Sequence, residues 1–351
     1  MLMQEGNPMN ATARRDIVVI GGSAGSGAVL KTLMQSLPAD LPASLFIATH
    51  IPASGPGFLN EILSSRSALP VTQAVDGQPV ERGHVYLAAP DRHLLVIDGI
   101  IRLGLGPREN MVRPAIDPLF RSAALSFGPR VIGVILTGML NDGAAGLHAV
   151  KACGGLAVVQ NPVDAHAEQM PLAALQATEV DHVVAAAGLG DLLVELVNSV
   201  AGPRLQPAED LKLEVAIAAG SRLGSATLLG IASPSPLSCP DCHGVLSEVR
   251  GGVPLRYRCQ IGHAYTAETL VAHGDAVDEA IRVAMRMMEE RVTLVERMAQ
   301  DARESGRIAV AELYEARGVE YRRYATTLRD AAVASLRLGR APHEQDVPDD
   351  R

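Results

Sequence analysis

No apolar run in this sequence is long enough to cross a membrane. The longest apolar stretches, such as residues 131–140, reach about half of the roughly 20 residues that a membrane-spanning helix needs. The amino-terminal stretch MLMQEGNPMNATARRD also lacks the apolar core of a signal peptide. These two absences predict a cytoplasmic protein with no membrane span.

Cysteine is scarce as well. The sequence has only four cysteines, and three of them cluster near residue 250. Four residues so distributed do not form the dense disulfide framework of small secreted domains, and clustered cysteines in a reducing compartment more often bind metal. Cys153 stands alone on a predicted helix, where we expect it in the core.

Positive charge and aromatic side chains are in short supply. The formal net charge is −8, aromatic residues make up 3% of the chain, and tryptophan is absent. Nucleic-acid binding uses basic surfaces and aromatic stacking platforms, so nucleic acid is not the expected partner. Arg250, Arg256 and Arg258 provide some local positive charge and leave this weaker alternative open.

Apolar residues, by contrast, make up 48% of the 351 residues, which is enough for a large core and more than one domain. Between residues 15 and 200, short β-branched runs alternate with longer amphipathic stretches. This rhythm predicts an α/β fold, with a doubly wound, mostly parallel sheet and helices on both faces. The predicted strands are DIVVI, SLFIAT, HVYLA, HLLVID, VIGVIL and GLAVVQ, and the predicted helices span residues 26–36, 57–65, 116–127 and 144–152.

Changes in composition divide the chain further. Proline and serine mark a linker, the cysteines mark a compact module, and a proline-free stretch after it predicts one or two long helices. We expect a disordered amino terminus at 1–14, the α/β domain at 15–200, a linker at 201–238, a zinc-ribbon-like module at 239–270, a helical segment at 271–340 and a disordered tail at 341–351.

Two features subdivide the helical segment. Gly306 and Gly318 are the candidate break points between helices. Apolar side chains at helical spacing predict a buried seam between two helices, or else a stripe for docking or dimerisation. These residues are Val283, Met287, Leu294 and Met298.

The stretch VVIGGSAGSG is a strand that ends in a glycine-rich turn. It lacks the G-x-G-x-x-G of a dinucleotide turn, and Ala28 and Val29 stand where a P-loop needs lysine and a hydroxyl. Gly21, Ser23 and Gly25 instead match G-x-S-x-G, a turn that presents a nucleophilic serine near helix N–H groups that can stabilise an oxyanion. A turn in which Ser23 only caps a helix remains the alternative.

A serine nucleophile needs a base and a group that orients the base. His50 follows the predicted strand SLFIAT, and Asp142 follows VIGVIL. Since the carboxyl ends of parallel strands face one crevice, we expect Ser23, His50 and Asp142 to converge there. Taken singly, His50 and Asp142 are equally typical of structural loop residues.

A second hypothesis follows the chain order of α/β-hydrolases, in which the acid precedes the histidine. His166 would then be the base, with Asp91 or Asp117 as its carboxylate. The stretch NPVDAH shows no clear strand end, so this hypothesis is the weaker one.

Five blocks in order make a resemblance specific. They are VIGGSAGS, THIP followed by GFLNEIL, GHVYLAAPDRHLLV, NMVRPAIDPLFRSAA and GVILTGMLNDGAAGL. Over about residues 15–195 the sequence resembles the catalytic domain of CheB-type chemotaxis protein-glutamate methylesterases. The resemblance implies hydrolysis of glutamyl methyl esters on chemoreceptor helices, often with deamidation of receptor glutamines, and no cofactor for catalysis.

The resemblance also implies roles for individual residues. Ser23 matches the nucleophile, His50 the general base and Asp142 the carboxylate that orients it. The backbone N–H groups of Ala24 and Met139 match the positions that bind the oxyanion.

Arg113 is a candidate substrate contact, since acidic segments flank receptor methylation sites. An arginine in the stretch VRPAID pairs just as often with a structural carboxylate such as Asp117.

The sequence departs from the family pattern at three places. Ala24 replaces the hydroxyl-bearing residue after the nucleophile, and Leu140 replaces the usual glycine after Met139, which narrows the backbone conformations of that turn. About 15 residues precede the first predicted strand, so we expect no receiver domain in this chain. Control would then come in trans, from a separate receiver or histidine-kinase pathway protein.

The clustered cysteines have the spacing of a metal site. Cys239, Cys242, Cys259 and His263 read C-x2-C-x16-C-x3-H, and such paired ligands complete a zinc tetrahedron. Four protein ligands leave no open position, so the zinc would be structural. His243 could replace His263, and buried thiols without metal are the alternative.

Two hypotheses of different class follow. The first is a serine esterase acting on protein glutamyl methyl esters in a chemosensory pathway. The second is a catalytically weak signalling scaffold that binds a partner through the ribbon and the helices.

Overall fold

A computed structural model describes residues 13–50, 58–221, 225–272 and 275–338. The chain divides into two compact units, Met1–Leu270 and Val271–Arg351. Most of the termini predicted to be disordered, at 1–14 and 341–351, lie outside the described residues. Arg14 is described, and it forms an isolated bridge with Val200.

A seven-stranded parallel sheet lies at the centre of the first unit, in the order β3-β4-β2-β1-β7-β8-β9. Apolar side chains cover both of its faces: Val18 belongs to one buried cluster and Val19 to the other, because successive strand residues point to opposite faces. The doubly wound α/β prediction is confirmed. The strands are β1 Ile17–Gly22, β2 Ser44–Thr49, β3 Val71–Gln73, β4 Val85–Leu87, β5 His93–Ile97, β6 Ile100–Gly104, β7 Val131–Ile135, β8 Leu156–Gln160 and β9 His182–Val184.

Helices flank this sheet, and the four predicted ones lie within one residue of their expected bounds. The helices of the α/β domain are α1 Ser26–Ser36, α2 Phe58–Ser64, α3 Ile116–Phe127, α4 Ala144–Ala152, α5 Gln169–Ala177 and α6 Leu189–Val197. The sequence patterns missed β3, β6, β9, α5 and α6; of these, β3 and β9 have only three residues each.

The stretch HLLVID forms a strand outside the main sheet. It is β5 of an antiparallel hairpin with β6. Asp98 and Gly99 form the two-residue turn and have φ angles of 50° and 78°. Two positive φ angles give a turn whose twist matches that of the paired strands, and Asp-Gly is the typical sequence for it. The turn therefore reverses the chain, so that β6 pairs with β5.

Residues 201–238, expected to be a linker, contain three regular elements. These are α7 Glu209–Ala219, α8 Ser225–Ile231 and β10 Ala232–Ser238. On α7, Leu211 and Val215 are buried, as is Glu214. The segment differs from a linker because these side chains are part of the interior of the first unit.

The cysteine-bearing segment forms an antiparallel sheet in the order β10-β11-β12-β13. This sheet contacts the α/β domain: the Asn110 N–H donates to the Ala264 carbonyl at 2.8 Å. The predicted module at 239–270 is therefore continuous with the first unit. The remaining elements are β11 Val245–Val249, β12 Arg256–Cys259, β13 Ala264–Thr266 and α9 Ala267–Ala272.

The second unit is a pair of helices, α10 Asp275–Glu304 and α11 Ile308–Leu338. The break lies at Gly306, with a φ of 73°, whereas Gly318 lies within α11. No helix among the described residues is long and apolar enough to cross a membrane.

The seam between α10 and α11 differs from the predicted one. The predicted stripe residues are between 37% and 60% exposed. Small side chains are buried instead, because alanines allow two helices to approach closely. Among the residues whose burial is described, the buried positions of the two helices are Val295, Ala299, Ala302, Ala311, Gly318 and Ala325.

Candidate active site

The register of β1 and β2 brings Ser23 and His50 side by side. Gly22 pairs with Thr49 at the carboxyl ends of the two parallel strands, and Ser23 and His50 are the next residue of each. Neighbouring strands lie about 4.8 Å apart. The Ser23 N–H donates to the Thr137 carbonyl at 2.9 Å, which ties the turn to the segment that follows β7.

Asp142 lies between β7 and α4 and contacts His50 directly. His50 Nε2 donates to Asp142 Oδ2 at 2.8 Å, and the side chains are 21% and 2% exposed. The same oxygen accepts the Ile116 N–H at 2.7 Å. Asp142 Oδ1 accepts the Asn110 side-chain amide at 3.2 Å and the Asp117 N–H at 3.3 Å. The carboxylate is therefore held from several sides.

These contacts decide the charge of two neighbouring carboxyl groups. Burial alone would raise the pKa of Asp142, but His50 and the N–H donors lower the pKa below its ordinary value. Burial and the nearby Asp142 charge raise the pKa of Asp117 to about 7. Asp142 is thus the ionised partner of His50.

The turn that carries Ser23 is closely packed. A Cβ built on Gly138 would lie 2.9 Å from Ser23 Cβ and 2.0 Å from Met170 Sδ. Only glycine fits between them, because real Cβ atoms do not approach other heavy atoms so closely. Ser26 Oγ donates to the Ser23 carbonyl at 2.7 Å at the start of α1. The backbone around Ser23 is therefore fixed on two sides.

Two backbone donors lie beside Ser23. Among the described residues, the N–H groups of Ala24 and Met139 have no acceptor. Leu140 follows with a φ of 59° and donates its N–H to Gln169 Oε1 at 2.8 Å. Leucine here adopts the left-handed conformation that glycine adopts without strain. The backbone at Leu140 therefore has a conformation that a glycine would adopt at lower cost.

The structure brings the predicted Ser23, His50 and Asp142 to one edge of the sheet. Within the described part of the chain, no hydrogen bond joins the Ser23 hydroxyl to His50, a contact that in free enzymes often tightens only with substrate bound. The residues directly after His50, at 51–57, lie outside the described residues.

The residues of the second hypothesis do not form a triad in the described regions. His166 is exposed and lies against the turn at Gly25. Asp91 binds Arg113, and Asp117 Oδ1 accepts the N–H groups of Gly143 and Gly146 at 3.1 and 2.6 Å. No hydrogen bond among these residues links His166 to either carboxylate.

Arg113 is engaged in a structural contact. Its Nη2 and Nε donate to Asp91 Oδ1 at 2.7 and 3.0 Å, and its Nη1 donates to the Gly106 carbonyl at 2.9 Å. The alternative that the sequence left open, an arginine paired with a carboxylate, describes this geometry, with Asp91 in place of Asp117. These bonds use three of the five guanidinium N–H groups, so a substrate contact by Arg113 stays a prediction.

The predicted metal ligands lie together. Cys239, Cys242, Cys259 and His263 place one ligand atom each within 4.8 Å of the others. His263 Nδ1 lies 3.6 Å from Cys239 Sγ and 3.5 Å from Cys259 Sγ, and the sulfurs of Cys242 and Cys259 are 3.6 Å apart. Ligand atoms around tetrahedral zinc lie roughly 3.5–3.8 Å apart for bonds of about 2.0–2.3 Å. The four residues therefore have the geometry of a Cys3His metal site, and His243 is not part of it.

Arg256 and Arg258, which the sequence offers as nucleic-acid contacts, are engaged inside the protein. Arg258 is fully buried and binds Glu109 at 3.1 Å, and Arg256 binds Glu214 at 2.7 Å. Arg121 also binds both glutamates. These five residues are the buried charge cluster, which joins β12 to α3 and α7, so this charge is not available to a phosphate backbone.

Sequence patterns missed two asparagines next to the Asp142 carboxylate. Asn110 bonds Asp142, and Asn141 precedes it and donates to Glu268 Oε2 at 2.8 Å. Asn110 has a φ of 49°, a conformation that asparagine adopts more readily than most residues. Both asparagines lie within the blocks NMVRPAIDPLFRSAA and GVILTGMLNDGAAGL, but nothing local in these blocks indicates that the two side chains hold Asp142.

Comparisons with known proteins agree with this geometry. The family described as CheB methylesterase matches residues 18–193. A putative protein-glutamate methylesterase/protein-glutamine glutaminase of Leptospira interrogans is 38% identical over 182 residues, which cover 52% of this chain and 94% of the relative. Protein-glutamate methylesterase/protein-glutamine glutaminase 2 of Anaeromyxobacter dehalogenans is 38% identical over 172 residues, which cover 49% of this chain and 50% of that protein.

A solved structure is similar as well. The crystal structure of the Thermotoga maritima CheB methylesterase catalytic domain has a TM-score of 0.50 and 35% identity, and the match covers 53% of this chain and all of that one. The relatives are named as enzymes, which favours the esterase hypothesis over the scaffold hypothesis.

Proposed function

Because the chain belongs to the CheB methylesterase family, we propose that it hydrolyses methyl esters of glutamyl side chains on chemoreceptor helices. Ser23, His50 and Asp142 form the catalytic triad of this proposal. The observation that carries it is the hydrogen bond from His50 to the buried Asp142, beside a serine that the strand register places next to His50.

The orientation of His50 indicates which ring nitrogen takes part in proton transfer. Because Nε2 is hydrogen-bonded to Asp142, Nδ1 is the nitrogen that accepts the Ser23 proton as the serine oxygen attacks the ester carbonyl. The tetrahedral intermediate then expels methoxide, which takes the proton from His50 and leaves as methanol. Water attacks the resulting acyl-enzyme in the same way, and glutamate is released with Ser23 restored.

The negative oxygen of each tetrahedral intermediate needs hydrogen-bond donors that are already in position. The Ala24 and Met139 N–H groups, which have no other acceptor in the described regions, fill this role, and each such donor contributes roughly 3–4 kcal/mol to lowering the barrier. A glutamine side chain passes through the same intermediate and releases ammonia, so deamidation belongs to the proposal. The comparison relatives carry both activities in their names.

The test replaces the nucleophile and keeps the fold. Receptor-bearing membranes with radioactive methyl esters are incubated with the full chain, and released methanol is counted. Ser23→Ala lowers the rate at least about 10⁴-fold. Ser36→Ala, which removes a hydroxyl at the other end of α1 that bonds only the Leu33 carbonyl of its own helix, is the matched control and keeps the rate. Methanol release by Ser23→Ala at the normal rate would refute the esterase mechanism.

The proposal includes a structural zinc ion on Cys239, Cys242, Cys259 and His263. Four ligands close the coordination sphere, so the metal stabilises the fold and leaves the ester chemistry to the triad. Metal analysis of the purified chain should find one zinc per protein, and Cys239→Ser should lose it. A folded wild-type chain without metal would refute the site.

Location and partners complete the proposal. The thiolate ligands need a reducing compartment, and the cysteines form no disulfide, which supports the cytoplasm. The substrate is then the cytoplasmic, methylated part of a chemoreceptor, and a receiver or histidine-kinase pathway protein is a further proposed partner.

A further inference from the structure

The four-stranded sheet that carries the Cys3His site contacts the residues that hold Asp142. We propose that this sheet is a positioning element for the triad: Asn110 and Asn141 hold Asp142, and residues 264–269 hold these two asparagines. The inference rests on the proposed function of Asp142, but it assigns a role to a part of the chain that lies beyond the matched family region.

Asn110 bonds both sides of this interface. Its side-chain amide donates to Asp142 Oδ1 at 3.2 Å, and its Oδ1 accepts the Thr266 N–H at 3.1 Å. Its own N–H donates to the Ala264 carbonyl at 2.8 Å. Asn110 is almost fully buried, so water does not replace a lost partner, and the amide keeps one orientation.

Asn141 is held by the same segment. Its Oδ1 accepts the Thr266 hydroxyl at 2.7 Å and the Thr269 hydroxyl at 3.3 Å, and its amide donates to Glu268. Thr266 and Thr269 are 1% exposed. Since Asn141 directly precedes Asp142 in the chain, fixing Asn141 fixes the backbone from which the carboxylate projects.

Two of the metal ligands lie next to these contacts in the sequence. His263 directly precedes Ala264, the first residue of β13. Cys259 directly follows Arg258, which binds Glu109, the neighbour of Asn110. A bound metal that fixes His263 and Cys259 therefore fixes both connections to Asn110. The sheet has only a small apolar core, formed by Cys239, Leu246, Cys259 and Tyr265, so it relies on the metal for order.

The expected signature is a loss of turnover without a loss of binding, because Asp142 and His50 act on the reaction and not on the affinity. The probes are p-nitrophenyl acetate as a small ester and a serine-directed fluorophosphonate, whose labelling rate reports the reactivity of Ser23. Both are measured on the full chain, with zinc content determined for each variant.

Thr266→Val removes one hydroxyl at nearly constant shape. It lowers kcat and the labelling rate together by about tenfold, the scale of positioning contacts around a site, and leaves KM and zinc content unchanged. Thr266→Ser keeps the hydroxyl and restores the rate. Thr326→Val is the matched control, since that hydroxyl bonds only a carbonyl of its own helix, and it changes nothing.

Asn110→Gly tests the amide separately, because glycine accepts the positive φ of this position. It also lowers kcat and labelling by about tenfold or more. Removal of zinc by a chelator lowers the labelling rate, and readdition of zinc restores it, with the metal content as the second readout.

The outcomes separate the two proposals. If Thr266→Val and Asn110→Gly react at the wild-type rate, or if the zinc-free protein is labelled as fast as the zinc-bound protein, the positioning role is wrong while the esterase stands. If Ser23→Ala keeps methanol release, the proposed function itself fails.

Discussion

The two elements that follow the α/β domain, the sheet β10–β13 and the helix pair α10–α11, use charge in opposite ways. The sheet joins the domain through the buried charge cluster around Arg258, Glu109 and Glu214. The helix pair is crossed by exposed ion pairs such as Arg303 with Glu315 at 2.7 Å. A buried charge depends on its partner because water cannot replace it, whereas an exposed one loses little.

The largest effect tests the metal-bearing sheet against the helix pair. A chelator that removes the proposed zinc takes away binding free energy that in small zinc domains reaches about 10–16 kcal/mol. The amide protons of β10–β13 should then exchange quickly with solvent while those of α10–α11 keep their protection. Hydrogen exchange read by mass spectrometry checks this, and equal exchange in both elements after chelation would contradict the comparison.

A second test breaks the buried charge cluster. Arg258→Met leaves Glu109 and Glu214 short of a partner in the interior and should cost about 3–5 kcal/mol of unfolding free energy. Urea denaturation of the full chain measures it. If the urea midpoint of Arg258→Met stayed within the range of surface variants, the buried charge cluster would contribute little to the stability of the protein.

A third test measures how the stability of the α/β domain depends on pH. The pKa of Asp117 is about 7 in the folded protein, above its value of about 4 in an unfolded chain. The folded state therefore binds the proton more strongly, and Asp117 makes stability fall as the pH rises from about 4 to 7.

Asp117→Asn should reduce the dependence of stability on pH between about pH 4 and 7, as measured by thermal unfolding at several pH values. Asp40→Asn, at an exposed loop position, is the control and should keep the slope. An unchanged slope in Asp117→Asn would mean that another group sets it. Asp142, whose pKa is lowered, acts in the opposite sense and only at lower pH, where its protonation removes stability.

The smallest effect is expected at the exposed pair of the helix hairpin. Arg303→Met removes the contact with Glu315, and no shift of the unfolding midpoint should be resolved, because water solvates both groups. The same denaturation series as for Arg258→Met measures it. A loss comparable to that of Arg258→Met would overturn the contrast between the two elements.

Much of the α/β domain could be predicted from sequence because its signals are local. A strand buried on both faces gives an unbroken β-branched run, as in VVI of β1, and glycine marks its end. The strand ends then place Ser23, His50 and Asp142 at one edge without any long-range information. The metal ligands are equally local, since their spacing is contained in one segment.

The rest depends on contacts between distant residues. Asn110 and Thr266 lie 156 positions apart, and no local pattern indicates that they meet. The partner of Arg113 could not be predicted for the same reason, because nothing in the stretch VRPAID indicates whether Asp91 or Asp117 binds it. The stripe of Met287 and Leu294 has helical spacing, but which face of a helix is covered depends on the partner helix, which packs against alanines.

The in-step pairing of β1 and β2 has a consequence for anyone who redesigns this enzyme. The main-chain pairing extends to Gly22 and Thr49, so it sets the backbone spacing of the next residues, Ser23 and His50, which are the proposed nucleophile and base. A single residue inserted within β2 would turn His50 toward the opposite side of the sheet, and we expect it to abolish the proposed esterase activity although Ser23, His50 and Asp142 are all still present.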